Sequence, residues 1–461
     1  MKKFIGDKKF YMMVLAVAVP IMVQNGITNF VSLLNNIMVG RIGTEQMSGV
    51  AIVNQLIFVF NICIFGGVSG AGIFTAQFFG KGDHKGVQDT FRIKILISIV
   101  ITAVGLVIFW LYGERLIGLY LNGDNDTEAV AATLMYAKKY LRIMMLEMLP
   151  FAFVQAYAAT LRETGETVTP MKAGVAAVLV NLILNYVLIY GKFGVPALSV
   201  EGAAIATTIA RFVELGIIAG WTYRHREIHH FIVGAYRSFR IPLQLIGKVA
   251  ILGTPLMVNE ILWASGQAML TQCYSVRGLS VVAAFNISST ISNVFNVVFI
   301  AMGSSVGIIV GQLLGAGKME EAKDTDRKLI FFSVVSCVGI GLLMSLFAPF
   351  FPMIYNTTTE IRQLATRFIV VASLCMPLYA FMHATYFTLR SGGKTWITFF
   401  FDSVYVWVVN IPLAFVLTRY TGLYIITLYL ICQLIDIIKC IIGFVLVKKG
   451  VWMQKIIEVE K

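Results

Sequence analysis

Pro255–Leu270 reads PLMVNEILWASGQAML, an apolar run that carries one carboxylate, Glu260. With its flanks, Leu243–Tyr274, it predicts a membrane-spanning helix, because roughly 20 apolar residues are needed to cross a bilayer. A carboxylate at the bilayer centre costs roughly 2.5–3.5 kcal/mol on insertion scales, so such a group faces a polar interior and marks an ion or substrate path. Glu260, Trp263, Gln267, Thr271 and Tyr274 recur at three- and four-residue steps, which stacks them on one helix face. The plain alternative is a carboxylate that only hydrogen-bonds a neighbouring helix and fixes packing.

Outside this stretch the composition has the same character. Of 461 residues, 58% are hydrophobic and 13% charged, and the mean hydropathy is +0.81, far above a soluble domain. The chain reads as an all-α integral membrane protein. Its net charge of +13 forms no basic stripe with interleaved aromatics, so nucleic acid is not an expected partner. The six cysteines include no CxxC pair, which indicates neither a disulfide framework nor a tightly bound metal. The first apolar run is too long for a signal peptide and has no cleavage-site pattern.

Twelve apolar spans are predicted: Tyr11–Met38, Met47–Phe79, Phe91–Tyr112, Ala129–Thr160, Met171–Tyr190, Gly202–Tyr223, Leu243–Tyr274, Val281–Leu314, Leu329–Phe350, Ile361–Leu389, Trp396–Leu417 and Leu423–Val447. Alternate loops are rich in Lys and Arg, such as Lys81 and Lys85, Arg224 and Arg226, Lys318 and Lys323, while the intervening loops hold few. The positive-inside rule then puts both termini in the cytoplasm of a multi-pass protein of the cytoplasmic membrane.

The strongest organising signal is an internal repeat. At a separation of 235, Pro20 meets Pro255, Met22 Met257, Val23 Val258, Asn61 Asn296, Gly72 Gly307, Gln77 Gln312, Gly80 Gly315 and Gly82 Gly317. At 228, Leu161, Arg162, Gly165 and Thr167 meet Leu389, Arg390, Gly393 and Thr395, and Gly194 meets Gly422. Two six-helix halves follow, residues 1–223 and 242–461, joined by a basic linker, 224–241. Each half holds an even number of spans, so the copies are parallel, an arrangement whose halves rock around a shared site.

Polar residues cluster at helical spacing in several spans. Asn181 and Asn185 are one turn apart; Asn286, Ser289, Thr290 and Asn293 form a stripe; Tyr379, Met382, His383, Tyr386 and Arg390 share a face; Asp402 precedes Asn410 by two turns. Any one of these can be helix glue, worth about 0.6 kcal/mol on average. Within single helices, Asp436 and Lys439 are spaced to pair, and Glu147 and Arg142 lie on neighbouring turns. His383 reads as a packed core histidine.

LLNNIMVGRIG from Leu33, NQL at Asn54, NYVLIYGKFGVPALSVEGAAIATTIAR from Asn185, PLMVNE at Pro255 and LRSGGKT at Leu389 resemble the multidrug and toxic compound extrusion (MATE) transporters over nearly the whole chain. The resemblance implies two six-helix lobes forming a V-shaped cleft. It also implies export of small cationic or amphipathic organic compounds, driven by inward movement of Na+ or H+ rather than by a bound cofactor. Within it, Glu260 belongs to a cation site of the carboxy-terminal lobe, with Asp402 and Asn286 as further coupling candidates. The first-span position that is commonly aspartate in the family falls on Asn35. An amino-terminal set of Asn35, Asn181 and Asn185 offers carbonyl oxygens but no titratable group; such neutral oxygens suit a hard cation. The tenth-span stretch CMPLYAFMHATYF lacks the aspartate some relatives carry. Met257, Trp263, Gln267, Phe295, Tyr379 and Met382 are the expected wall of the substrate cavity, where flexible Met side chains adapt to varied shapes. Membrane lipids surround a monomer on this reading.

Two other classes compete with a transporter of drugs. A lipid-linked oligosaccharide flippase of the same superfamily calls for more cationic residues in the inner spans than this chain supplies. A membrane acyltransferase is suggested by His84 and Asp89, an HxxxxD pattern, but no substrate motif follows. SGGKT, Ser391–Thr395, resembles the end of a phosphate loop, yet Thr388 stands where the leading glycine belongs. The expected protein is a transporter, not an enzyme.

Overall fold

The computed structural model describes residues 4–121, 127–238 and 240–457, all helix, turn or loop. Among them, twelve helices are long and apolar enough to cross a membrane. They are α1 (Lys8–Gly40), α2 (Thr44–Lys81), α3 (His84–Leu121), α4 (Thr127–Glu163), α5 (Val168–Tyr190), α6 (Ser199–Arg224), α7 (Leu243–Ser275), α8 (Leu279–Gly315), α9 (Met319–Phe347), α10 (Thr359–Ser391), α11 (Thr395–Tyr420) and α12 (Ile425–Lys448). Hydropathy places the starts of α3 and α9 at Phe91 and Leu329, too late in both. Their charged first turns are also helical, and in α9 Glu320 and Glu321 complement the positive end of the helix dipole.

Helix ends repeat as the sequence does. Gly82, Gly165, Gly317 and Gly393 all have φ between 75° and 89°. The amide of each donates to the third carbonyl back, and the next amide reaches the fifth, as in Gly393 to Arg390 (2.9 Å) and Lys394 to Leu389 (3.1 Å). This is the Schellman cap, in which glycine carries the left-handed residue without strain. SGGKT is therefore a helix terminus, not a phosphate loop. Prolines sit inside α1, α4, α7 and α10, the first and fourth helices of each half, where each removes a backbone hydrogen bond and permits a bend.

The chain forms two compact units. One comprises residues 23–75 and 84–250; the other comprises 1–22, 76–83 and 251–461. The division differs at three segments from the boundaries drawn on the sequence, residues 1–22, 76–83 and 242–250. In the second unit, Val14, Val17, Ala18 and Ile21 are buried with Ala301, Met302, Val306 and Ile309 of α8 and Ala384 and Leu389 of α10. The end of α2 also approaches α8 there: a Cβ on Gly80 would fall 1.9 Å from the Gln312 carbonyl oxygen, and one on Gly315 would fall 1.9 Å from that of Gln77. Neither position tolerates a side chain. Packing of this kind follows from small residues, not from hydropathy, so the sequence division could not place it.

In the first unit the linker is folded rather than slack. Gln88 donates to the carbonyls of Phe231 (3.2 Å) and Val233 (2.6 Å), and Arg92 to those of Gly234 (3.1 Å) and Ala235 (2.9 Å). Phe231 packs on Phe91 at 5.1 Å between ring centroids, and the Tyr157 and Tyr236 hydroxyls lie 2.8 Å apart.

Candidate functional site

In the second unit, α7, α10, α11 and α12 bring a set of polar groups together. Asn259 and Asp402 form its centre: the Asn259 amide donates to Asp402 Oδ2 at 3.2 Å and approaches the Tyr386 hydroxyl at 3.5 Å. Lys439 of α12 donates to Asp402 Oδ1 at 3.0 Å. Ser403 donates to the Asn259 side-chain oxygen (2.7 Å) and carbonyl (2.8 Å). The backbone of α11 is locally widened over Phe400–Val404 and Val406–Asn410, where π-helical turns replace α turns. Such bulges are frequent at functional sites. Here they coincide with bonds to other helices: Trp407 Nε1 to the Leu262 carbonyl (3.0 Å), Tyr405 to the Ile435 carbonyl (2.8 Å) and Asn410 to Asp436 (3.0 Å).

Glu260 sits next to Asn259 and is half-buried. The charges acting on it are Arg390 and Asp402. Arg390 is hydrogen-bonded to Tyr386 and lies over the Phe387 ring at 5.2 Å. Among the described residues Asp402 is in a salt bridge and Glu260 is in none. The two acids thus differ in kind. Asp402 is paired with the Lys439 ammonium at 3.0 Å, whereas Glu260 is paired with no cation in a salt bridge among the described residues.

The Asp436–Lys439 pair expected within α12 does not form. Lys439 turns to Asp402, and Asp436 accepts from Asn410 at 3.0 Å. The helix is interrupted between Leu434 and Ile437, which removes the regular spacing behind that expectation. Glu147 likewise pairs not with Arg142 but with Arg211 of α6, at 3.1 Å, and Arg211 also holds Glu214 at 2.7 Å. All three belong to the first unit, and Glu214 and Arg211 have no marker in the hydropathy pattern of α4.

The three asparagines of the first unit do meet. Asn35 donates to Asn181 Oδ1 (2.7 Å), Asn185 to Asn35 Oδ1 (2.8 Å) and to Asn181 Oδ1 (3.1 Å), and Asn181 to Thr207 Oγ1 (3.1 Å). Asn185 Oδ1 is buried without a hydrogen-bond partner. Thr207 lies on α6 and went unnoticed in the sequence, where one threonine among many gives no signal.

The remaining candidates separate. Asn286 is exposed, and its backbone carbonyl accepts from Ser289 (3.1 Å) and Thr290 (2.8 Å). Tyr379 donates to Gln433 at 2.5 Å, Phe295 meets Phe351 edge-to-face at 5.8 Å, and Met382 is buried. Trp263 and Gln267 are exposed and Met257 is half-buried. His383 packs edge-on to Phe299 at 4.7 Å, as a core histidine does. His84 packs against His230 at 4.8 Å while Asp89 pairs with Arg92 at 3.0 Å, so the HxxxxD residues are engaged elsewhere.

The profile of the MatE family matches residues 20–187 and again 255–416. The two matches begin at the same separation as the internal repeat. The chain belongs to this family. It is 24% identical over 405 residues to a probable multidrug resistance protein NorM of Thermotoga maritima, covering 87% of this chain and 84% of the relative. It is 24% identical over 411 residues to the probable multidrug resistance protein YoeA of Bacillus subtilis, covering 88% and 86%. An outward-facing multidrug resistance MATE family transporter superposes with a TM-score of 0.85 at 18% identity over 97% of each chain. A superfamily transporter from Pyrococcus furiosus, described as having a binding pocket of reversed polarity and a different function, superposes at 0.82, also at 18% identity and over 97% of each chain. The chain is thus a multi-pass membrane protein with a MATE fold, and at this identity the fold alone does not fix the substrate.

Proposed function

We propose that this MATE protein is a multidrug efflux antiporter that exports small cationic or amphipathic organic compounds in exchange for inward H+ or Na+. The observation that carries the reading is Glu260: a membrane-embedded carboxylate beside an Asp402 already neutralised by Lys439. Glu260 takes up the inorganic cation. Asp402, held by Lys439 and Asn259, acts as a fixed partner whose charge does not change through the cycle. A neutralised carboxylate is far easier to keep in a dry environment than a bare one, so the cation and an organic cation compete for the same group. One charge moving inward across about 100 mV supplies about 2.3 kcal/mol. That free energy corresponds to accumulation on the order of fiftyfold.

On this reading Trp263 and Gln267, one and two turns along α7 from Glu260 and exposed, contact the substrate together with Met257. Tyr379, Phe295 and Met382 act behind them by packing. The neutral asparagine set of the first unit orders helices and exchanges no proton. Both termini lie in the cytoplasm. Everted vesicles carrying the protein and a quenched fluorescent cation, given separate sodium and pH jumps, test the coupling. Uptake driven by one gradient names the ion; uptake driven by neither contradicts the proposal.

A further inference from the structure

Beyond the carboxy-terminal end of α7 the second unit carries a recess of about 410 Å³ whose lining does not include Glu260. Its polar lining is Arg277, Ser280, Glu360, Gln363, Arg367 and Tyr424. Three helices begin at this recess: α8 at Leu279, α10 at Thr359 and α12 at Ile425. The positive dipole ends of three helices therefore border one recess, which favours an anion, although at α10 Thr358 Oγ1 already accepts from the Ile361 amide (3.4 Å). Two guanidinium groups add to that field. Arg277 is held by its Nη2, which donates to the Leu417 (3.0 Å) and Thr421 (2.5 Å) carbonyls at the end of α11. Arg367 donates to the Tyr424 hydroxyl at 2.9 Å and lies 5.7 Å from that ring's centre. Neither arginine forms an ion pair among the described residues. Glu360 lines the recess without neutralising either of them.

We propose that this recess binds the phosphate group of an anionic lipid with a polyol headgroup. The guanidinium forks match phosphate oxygens bidentately, and Glu360 and Gln363 accept from headgroup hydroxyls. The rim decides between a lipid and a free ion. Tyr424 of the lining is exposed, and so are the chain neighbours of the lining: Val276 before Arg277, Leu279 before Ser280 at 87%, and Tyr420, two residues before Gly422, at 76%. Apolar and tyrosine side chains beside charges are the composition of a membrane–water interface, where acyl chains continue from the headgroup. A freely soluble phosphate would leave this apolar rim without a partner. The site is independent of the coupling carboxylate, and failure of either assignment leaves the other standing.

Native mass spectrometry of the purified full chain tests the site, with phosphatidylglycerol, phosphatidylcholine and inorganic phosphate titrated separately. The expected result is phosphatidylglycerol binding at least about tenfold tighter than phosphatidylcholine. An interfacial arginine contributes about 1 kcal/mol toward an anionic lipid, or about fivefold in affinity. Arg367→Gln, at an exposed position, should therefore lose about fivefold, and Arg277→Gln with Arg367→Gln should erase the preference. Arg419→Gln removes a charge at the same end but outside the recess, over the Phe415 ring, and should leave the preference intact. Equal binding of the two lipids, unchanged preference in Arg367→Gln, or inorganic phosphate binding as tightly as the lipid would each overturn the proposal.

Discussion

Arg162 and Arg390 hold equivalent places in the two halves, and their surroundings show what duplication kept and what it changed. Arg162 donates to Gln24 Oε1 at 2.6 Å, while Arg390 acts on Glu260. At the repeat separation of 235, Gln24 corresponds to Asn259 and Asn25 to Glu260; at 228, Gly174 corresponds to Asp402 and Arg211 to Lys439. The exchange is compensated in size. Gly174 leaves room for the longer Gln24, whose Nε2 would lie 2.7 Å from a Cβ there. In the other half the shorter Asn259 admits Asp402, which it bonds at 3.2 Å. Each sixth helix also keeps a cation, but Arg211 answers to Glu147 and Glu214 whereas Lys439 answers to Asp402. At the positions of Asn259, Glu260 and Asp402 the first copy thus carries the neutral Gln24, Asn25 and Gly174, and its ionic cluster of Arg211, Glu147 and Glu214 stands elsewhere.

The largest effect is expected from removing the cations. Arg211→Met leaves two buried carboxylates, Glu147 and Glu214, together without their cation and should cost about 3–5 kcal/mol, and Lys439→Met, which leaves the half-buried Asp402 unpaired, should cost less. Folded yield and the thermal midpoint in detergent report both, with Lys439→Arg expected to retain most of the stability. If both methionine variants are tolerated, the sixth-helix cations are not what neutralises the acids of either half.

Next comes the size exchange. Gly174→Ala forces Gln24 aside and should destabilise by about 1–3 kcal/mol, and adding Gln24→Asn, the residue of the second half, should restore most of the loss. Thermal melts of the single and double variants measure the coupling. Strictly additive effects would mean that the two positions do not compensate each other.

What the sequence made legible, and what it hid, follows the same line. The spans and the duplication were readable because lipid imposes long apolar runs and because the glycine caps at Gly82, Gly165, Gly317 and Gly393 cannot vary freely. Glu260 was readable because a lone membrane carboxylate is costly wherever it stands. The partners were not. Spacing along one helix assigned Lys439 to Asp436 and Glu147 to Arg142, but a membrane charge is neutralised by whichever helix lies alongside, and that is a tertiary fact. The widened turns of α11 and the break in α12 carry no compositional mark either. The asparagine set was found by likeness to the family, and Thr207, which completes it, was not.

Smaller effects refine the neutral side of the comparison. Asn35→Ala removes two side-chain bonds, each worth about 0.6 kcal/mol, so a slight fall in the midpoint with transport preserved is expected. Abolished transport in that variant would give the first half a coupling role. The linker adds a pH signature found beside the first half. Burial holds the His229 imidazole below its ordinary range, opposed by Glu166 and reinforced by His225 and His230. A group depressed on folding contributes stability above its unfolded value of about 6.5 and loses it as pH falls toward the folded value. The midpoint of the wild type should decline below about pH 6.5, and His229→Gln should flatten that slope.

Glu260→Gln tests the central claim most directly, in everted vesicles where membrane levels match the wild type and a fluorescent organic cation is followed under imposed sodium and pH gradients. The expected result is loss of gradient-driven transport with binding of the organic compound no longer sensitive to the inorganic cation. Full gradient-driven transport by that variant would contradict the account.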